Sequence, residues 1–298
     1  MVLKKIIDFL ESAVPKQLSE DYDNVGLLVG NDQQEVDQIL ISLDLTEEII
    51  EEAIEKKCQL IICHHPIIFK GLKKLTGSNL TERCVISAIK NDIALYAMHT
   101  NIDSHSYGVS HILAEKLGIN NLKPLSSKKN ILKKLVVFCP KEHADKVRTA
   151  IFDAGAGHIG NYDQCSFNLE GKGSFRGGEN TDPFIGEIGQ LHFEEEVRIE
   201  SIFYKHDQRK IIAKMIEAHP YEEVAYDIYP IENQDERFGL GVIGELEEEM
   251  SPKDFLEHTK TVLGLSILRH SKIGNKKVKK IACCGGSGAF LINQAKAQ

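Results

Sequence analysis

The sequence predicts an α/β protein: a two-lobed α/β core interrupted by an inserted ferredoxin-like α+β domain. Helical and strand-like patterns alternate up to about residue 120, the rhythm changes near Ser126, and the alternation resumes after Asn233. The 298 residues also exceed the roughly 100–200 residues of one domain. We therefore expect residues 1–127 and 234–298 to form the two lobes of the core and residues 128–233 to form the inserted domain.

The first segment shows the pattern of successive βαβ units with a largely parallel sheet. The expected elements are strand 38–43, helix 47–57 capped by Thr46, strand 60–63, helix 81–91, strand 94–98, a polar turn at 99–108, and helix 109–117 ended by Gly118. Strand 60–63 is apolar throughout, which is typical of a strand that is buried on both faces. Thr46 suits a helix N-cap and Gly118 suits a helix C-terminus.

The middle segment shows two consecutive βαβ halves, the order of a ferredoxin-like sandwich. Its expected elements are strand 135–139, helix 141–154, a glycine-rich strand pair within 165–175, strand 197–204, helix 208–218 and strand 223–229. The last segment returns to the first rhythm with strand 241–246, helix 252–263, strand 278–284 and a short final helix. We expect the segments on either side of the insertion to share one sheet.

Composition and charge exclude several classes of protein. The chain is 42% hydrophobic and 27% charged, as in ordinary globular proteins and unlike disordered, collagen-like or membrane proteins. Its 36 basic and 44 acidic residues give a net charge of −8, which opposes general nucleic-acid binding. No apolar run reaches the roughly 18 residues of a membrane span, and no signal peptide is visible. The seven cysteines include no C-x-x-C pair, so we expect reduced thiols and a cytoplasmic protein.

The strongest chemical signal is a pair of histidines, His64 and His65, at the end of the buried strand 60–63. Neighbouring strand residues point to opposite faces, so both imidazoles reach one site only if the strand ends there. Pro66 supplies that break. Ligand sites of open α/β sheets lie beyond the carboxyl ends of their strands, where this pair falls.

A second polar motif, residues 99–103 (HTNID), follows the next strand in the same way. In a parallel sheet it would converge on the two histidines, and His99 or Asp103 would complete a ligand set for Zn, Fe, Mn or Ni. Taken alone, the motif is equally typical of a turn that caps the next helix.

Three weaker signals accompany these motifs. In residues 21–30 (DYDNVGLLVG), Asp23 is a candidate for contacting substrate or supporting a ligand histidine. Residues 285–288 follow a strand and precede a helix, so their N–H groups are candidates for phosphate binding, although the lysine of a P-loop is absent. The candidate loop residues are Gly285, Gly286, Ser287 and Gly288. His219 and Glu223 stand four residues apart, but Pro220 prevents a continuous helix, so we do not expect them in the metal site.

Four of these motifs, in this order, resemble the GTP cyclohydrolase I type 2 homologue family, also called the Nif-three-like family. They are residues 21–30, 61–69 (IICHHPIIF), 99–103 (HTNID) and 284–288 (CGGSG). The stretches GNYDQCSF, GSFRG and AHPYEEVAYDIYP resemble the PII-like or CutA-like domain that is inserted in longer members. The resemblance covers almost the whole chain.

The resemblance implies a dinuclear metal site between two α/β lobes and a toroidal homohexamer with the sites facing a central cavity. Carried over position by position, it implies the ligands His64, His65 and Asp103, with supporting roles for His99 and Asp23. Some relatives are described as opening the imidazole ring of GTP.

Two positions depart from the family pattern. Tyr22 stands where the family has Trp, and the chain stops at Gln298, before the His and Glu that complete the family's two-metal site. We therefore expect fewer ions than the family's two per subunit, unless the chain is a piece of a longer protein. Two functions stay open: a metal-dependent hydrolase acting on a nucleotide or heterocycle, and a non-catalytic metal-binding regulatory or scaffold assembly whose PII-like insert senses a ligand.

Overall fold

A computed structural model describes residues 1–298, and the chain divides into two compact units. The first unit combines residues 1–128 with residues 235–298, and the second comprises residues 129–234. Each unit has its own hydrophobic core. None of the helices combines the length and apolar character that crossing a bilayer requires.

The first unit starts with a four-stranded sheet between helices. Its elements are α1 (Leu3–Ala13), β1 (Gly26–Val29), β2 (Ile39–Ser42), α2 (Glu47–Glu55), β3 (Leu60–Cys63), α3 (Leu80–Lys90), β4 (Ala94–Ala97), α4 (Thr100–Asp103), α5 (Val109–Lys116) and β5 (Ile119–Ser127). The strand order is β1-β4-β3-β2, with β2, β3 and β4 parallel and β1 antiparallel. Cys63 pairs with Ala97, so the carboxyl ends of β3 and β4 lie side by side.

Successive side chains of the central strands β3 and β4 point to opposite faces of the sheet, so helices pack on both faces. Ile61 and Leu95 pack with α2 and α3 on one face, whereas Leu60 and Tyr96 pack with α1 on the other. Burial on both faces requires the continuous apolar run seen in β3, which has the predicted bounds. The sheet therefore holds the ends of β3 and β4 in a rigid frame.

The second unit is an antiparallel sheet with two helices. Its elements are β6 (Leu132–Pro140), α6 (Ala144–Asp153), β7 (Phe167–Phe175), β8 (His192–Tyr204), α7 (Gln208–Ala218) and β9 (Tyr226–Pro230). The strand order is β7-β8-β6-β9, and every pair is antiparallel. The core contains Val137 and Ile199 from the sheet with Ile151 and Ile211 from the helices. The predicted glycine-rich strand pair at 165–175 was wrong: this segment is the single strand β7, which pairs with β8.

The chain then returns to the first unit with β10 (Gly239–Met250), α8 (Pro252–Val262), β11 (Val278–Cys283) and α9 (Ile292–Ala297). These strands join β5 in a separate antiparallel sheet of order β11-β10-β5. The two outer segments thus share this second sheet rather than the parallel one. The sequence analysis missed β5 because Asn120, Asn121 and Pro124 weaken its strand pattern. The expected polar turn at 99–108 also contains a helix, α4.

Candidate metal centre

The two histidines of the CHHP motif continue the extended chain just beyond β3. The backbone N–H of His64 donates to the carbonyl of Ser42, and that of His65 donates to the carbonyl of Leu43. Pro66 then follows, without an N–H to extend the ladder. The two rings lie together, with centroids 4.9 Å apart, although strand alternation alone would separate them.

A third imidazole, that of His99, joins the pair from the end of β4. One ring nitrogen from each of His64, His65 and His99 lies within 4.8 Å of the others. The ring of His99 is 5.3 Å from that of His64 and 5.7 Å from that of His65. His64 and His99 are largely buried, whereas the side chain of His65 is 50% exposed. The site is thus a half-open cluster of three imidazoles.

Asp23 orients the ring of His99 through a hydrogen bond to Nδ1. The side chain of Asp23 is fully buried, and its Oδ1 lies 2.8 Å from Nδ1 of His99. Its carboxylate also accepts hydrogen bonds from the backbone N–H groups of Asn24 and Thr100 and from the Thr100 hydroxyl. Burial by itself would raise the pKa of Asp23, but these hydrogen bonds outweigh it and lower the pKa. A charged Asp23 accepts the Nδ1 proton of His99 and leaves Nε2 with its lone pair.

Asp44 holds His65 in the same manner. Its Oδ1 lies 2.7 Å from Nδ1 of His65, so the carboxylate favours the tautomer with a free Nε2. The sequence analysis missed Asp44. Its position was a usable signal, because Asp44 follows β2, the parallel neighbour of β3, at the same edge of the sheet.

Asp103 lies beside His64 but makes no hydrogen bond to it. Oδ2 of Asp103 is 3.9 Å from Nε2 of His64, and Oδ1 is buried without a hydrogen-bond partner. Burial raises the pKa of Asp103. Burial also lowers the pKa of His64, as does repulsion from His65 and His99, while Asp103 opposes this change. A buried carboxylate oxygen without a donor is costly unless the group is protonated or a cation lies beside it.

These donors fit a divalent metal ion. Neutral imidazoles are the ligand form of histidine, and two of the three have their tautomer set by a carboxylate. Asp103 lies outside this group of three, but its Oδ2 is 3.9 Å from Nε2 of His64, which makes it a neighbouring oxygen donor. A nitrogen and oxygen donor set of this kind suits Zn, Fe, Mn or Ni.

The glycine loop 285–288 lies against α5. The N–H of Gly285 donates to Oγ of Ser110, and the N–H of Gly288 donates to the carbonyl of Gly286. Two of its four N–H groups are therefore engaged within the protein. The segment after it is a single 3₁₀ turn followed by the six-residue helix α9. The loop's role in phosphate binding stays a prediction.

Two aromatic rings flank the histidine cluster. Phe69 lies 6.5 Å from the ring of His99 and 6.4 Å from the ring of Tyr22, measured between centroids. Tyr22 is 65% exposed and Phe69 is 45% exposed. Asn24 connects their two loops, because its side-chain amide donates to the carbonyl of Ile68. The rim of the site is thus an exposed aromatic surface.

An α/β sheet that carries a histidine and aspartate cluster beyond the ends of its parallel strands defines the class of protein: a candidate metalloprotein with its site at the strand ends. The chain belongs to the Duf34/NIF3 (NGG1p interacting factor 3) family, which matches residues 1–298. This agrees with the resemblance drawn from the sequence motifs.

Individual relatives cover nearly the whole chain. A protein of Bacillus subtilis named GTP cyclohydrolase 1 type 2 homolog is 42% identical over 294 residues, which are 98% of this chain and 79% of the relative. The crystal structure of a Bacillus cereus protein related to NIF3 matches with a TM-score of 0.84 and 46% identity, over 99% of this chain and 79% of that one. A Staphylococcus aureus structure matches with a TM-score of 0.74 and 32% identity, over 100% of this chain and 79% of that one.

Proposed function

We propose that this protein binds a divalent metal ion at His64, His65, His99 and Asp103 and hydrolyses a nucleotide or a related heterocycle there. The observation that carries the proposal is the convergence of three imidazole nitrogens within 4.8 Å, two of them oriented by carboxylates. The name of the Bacillus subtilis relative supports the substrate class. A bound divalent ion would supply Lewis acidity to water and to a carbonyl or phosphoryl oxygen.

Residues around the metal site would bind the substrate and orient the ligand histidines. Tyr22 and Phe69 offer exposed ring faces on which a flat heterocycle can stack. Asp23 and Asp44 keep His99 and His65 in the tautomer that leaves Nε2 free. Burial raises the pKa of Asp103, so its carboxylate is desolvated and would gain from a cation beside it.

We propose that the second unit is the inserted PII-like or CutA-like domain. Its strand order β7-β8-β6-β9, with helices α6 and α7 packed into one core, supports a ferredoxin-like sandwich. In this proposal residues 128–233 are the insertion, and the flanking segments 1–127 and 234–298 are the lobes of the core.

The alternative function is a metal-binding regulatory or scaffold assembly without catalysis. It is favoured by a cavity in the second unit that lies among aromatic and acidic side chains.

In both functions we propose a homohexamer. Ile41 and Leu43 are 77% and 63% exposed at the edge formed by β2, an apolar surface suited to contact between subunits. We also propose a cytoplasmic location, which the seven free thiols support.

Turnover tests the catalytic proposal. The full chain is supplied with Zn²⁺, Mn²⁺, Fe²⁺ or Ni²⁺ in turn and incubated with GTP and other nucleotides, and products are followed by mass spectrometry. We expect a hydrolysed product that His64→Ala abolishes and His270→Ala leaves unchanged, because His270 is exposed and outside the cluster. Metal-loaded protein without turnover on any nucleotide would favour the regulatory assembly. Equal turnover by His64→Ala would contradict the assigned site.

A further inference from the structure

A second candidate site lies wholly within the second unit. A cavity of about 270 Å³ opens between β7, β8 and the segment that follows α7. Residues 176–191 form a long connection between β7 and β8, and such connections in compact domains are commonly functional. The principal lining residues are Phe175, Arg176, Phe184, Glu196, Tyr221 and Glu222.

The wall of this cavity is built by the HPYEE motif, which the metal centre leaves unused. Nε2 of His219 lies 3.0 Å from the carbonyl of Phe138, and Nδ1 accepts the backbone N–H of Tyr221. His219 therefore carries its proton on Nε2 and is buried as a structural residue. Its hydrogen bond fixes the turn that presents Tyr221 to the cavity.

Three aromatic rings converge at the cavity. The ring of Tyr221 lies 5.7 Å from that of Phe175, edge to face, and 6.3 Å from that of Phe184. Clusters of aromatic faces attract cations through their ring quadrupoles, and they bind alkylated ammonium groups in particular. The rings provide apolar contact and a favourable electrostatic surface at the same time.

The carboxylate of Glu196, which has no ion-pair partner, lies beside these three rings. We call the three rings and Glu196 together the cage. Glu196 lies on the face of β8 opposite the core residues Val197 and Ile199. Its Oε1 accepts a hydrogen bond from the Tyr221 hydroxyl, 3.2 Å away. Its neighbours on the strand have basic partners: Nε2 of His192 lies 2.9 Å from Glu194, and Lys134 and Arg198 form ion pairs with Glu200.

Glu196 has no such ion pair, and burial raises its pKa because the charged form is desolvated. The other lining charges are Arg176, Glu222 and Glu223, so carboxylates outnumber the guanidinium. A bound cation would compensate the desolvated charge of Glu196 by direct attraction and would balance this excess of negative charge.

We propose that this cavity binds a small alkylated ammonium compound, with its cationic group among Phe175, Phe184 and Tyr221 and against Glu196. The inference does not depend on the metal centre, since every lining residue belongs to the second unit.

Calorimetric titration of the full chain with tetramethylammonium chloride tests this site, with tert-butanol as an uncharged probe of similar size, at constant ionic strength. We expect saturable binding of tetramethylammonium and binding of tert-butanol that is weaker by roughly tenfold or more. Glu196→Gln and Tyr221→Leu should each weaken tetramethylammonium binding by roughly tenfold. Tyr221→Phe keeps the ring and should retain most of the affinity.

Glu195→Gln and Tyr229→Leu are matched controls, because both residues are exposed in the same unit and neither lines the cavity. They should bind like the parent, and circular dichroism should show every variant folded. Equal affinity for the two probes, or unchanged binding in folded Glu196→Gln, would overturn the proposal. So would binding of acetate at Arg176 without any response to tetramethylammonium.

Discussion

The two units of this chain build their candidate sites in different ways. The metal centre draws on residues at the carboxyl ends of parallel strands, and two of its three histidines are already oriented, His99 by Asp23 and His65 by Asp44. The cavity of the second unit draws on a hairpin, a long loop and the segment after α7, and its Glu196 has no cationic partner. In the first site, hydrogen bonds orient the ligand side chains before an ion binds. In the second, the charge of Glu196 is balanced only when a cationic ligand binds.

The largest expected effects come from truncating the core of each unit. Ile50→Ala and Ile151→Ala each remove a fully buried side chain and should cost about 2–5 kcal/mol of unfolding free energy. Hydrogen exchange followed by mass spectrometry should show faster exchange in the first unit for Ile50→Ala and within residues 129–234 for Ile151→Ala. Only Ile50→Ala should lower metal retention. Equal acceleration in both units by either variant would remove the basis for treating the sites separately.

Two glycines give a second contrast between the units. A Cβ at Gly108 would lie 2.0 Å from the carbonyl oxygen of Ile102, so the backbone of α4, which carries Asp103, must shift. Gly108→Ala should cost about 1–3 kcal/mol and weaken metal binding. A Cβ at Gly173 would instead meet Oε2 of Glu196 at 2.1 Å, the end of a flexible side chain.

Gly173→Ala should therefore change stability little and weaken tetramethylammonium binding by displacing Glu196. Denaturant unfolding measures the stability of both variants, metal titration measures the metal affinity of Gly108→Ala, and calorimetry measures tetramethylammonium binding by Gly173→Ala. Gly274→Ala is the control, because a Cβ there meets no atom within 4 Å. A Gly108→Ala variant with parental stability and metal affinity would show that α4 does not need its observed position.

A smaller effect is expected at Glu82, which anchors the loop after the two histidines. Its carboxylate accepts hydrogen bonds from the backbone and hydroxyl groups of Thr76 and Ser78 and from the side-chain amide of Asn79. The backbone hydrogen bond from Thr76 is the largest cause that lowers the pKa of Glu82 from 4.5 to about 2. This stabilisation is complete above pH 4.5 and disappears as the pH falls towards 2.

Glu82→Gln should lower stability at neutral pH and lose less stability than the parent as the pH falls from 4.5 to 2. Denaturant unfolding at several pH values measures this dependence. Glu115→Gln, on the exposed surface of α5, is the matched control. A pH profile of Glu82→Gln identical to that of the parent would show that the carboxylate does not hold this loop.

The sequence predicted the parts of the molecule that are local along the chain. His64, His65 and His99 follow two strands whose parallel pairing brings their rings together, a proximity that strand-end reasoning anticipated; metal binding by these residues and by Asp103 stays a prediction. Asp44 was missed because its position after β2 becomes a signal only when β2 is recognised as the parallel neighbour of β3. The cavity could not be predicted, since its wall joins residues from 174 to 225 through side-chain packing that periodicity does not encode. Strand β5 was missed because its pairing with β10 outweighs its weak local propensity.

Metal content is the most direct test of the central claim, that His64, His65 and His99 form a metal centre. The full chain, His64→Ala and His270→Ala are purified without chelator or a metal-carrying tag, and their metal is determined by elemental analysis before and after incubation with Zn²⁺. We predict bound metal in the parent and in His270→Ala and none in His64→Ala. Equal metal in the parent and His64→Ala, or no metal in the parent even after incubation, would contradict the account.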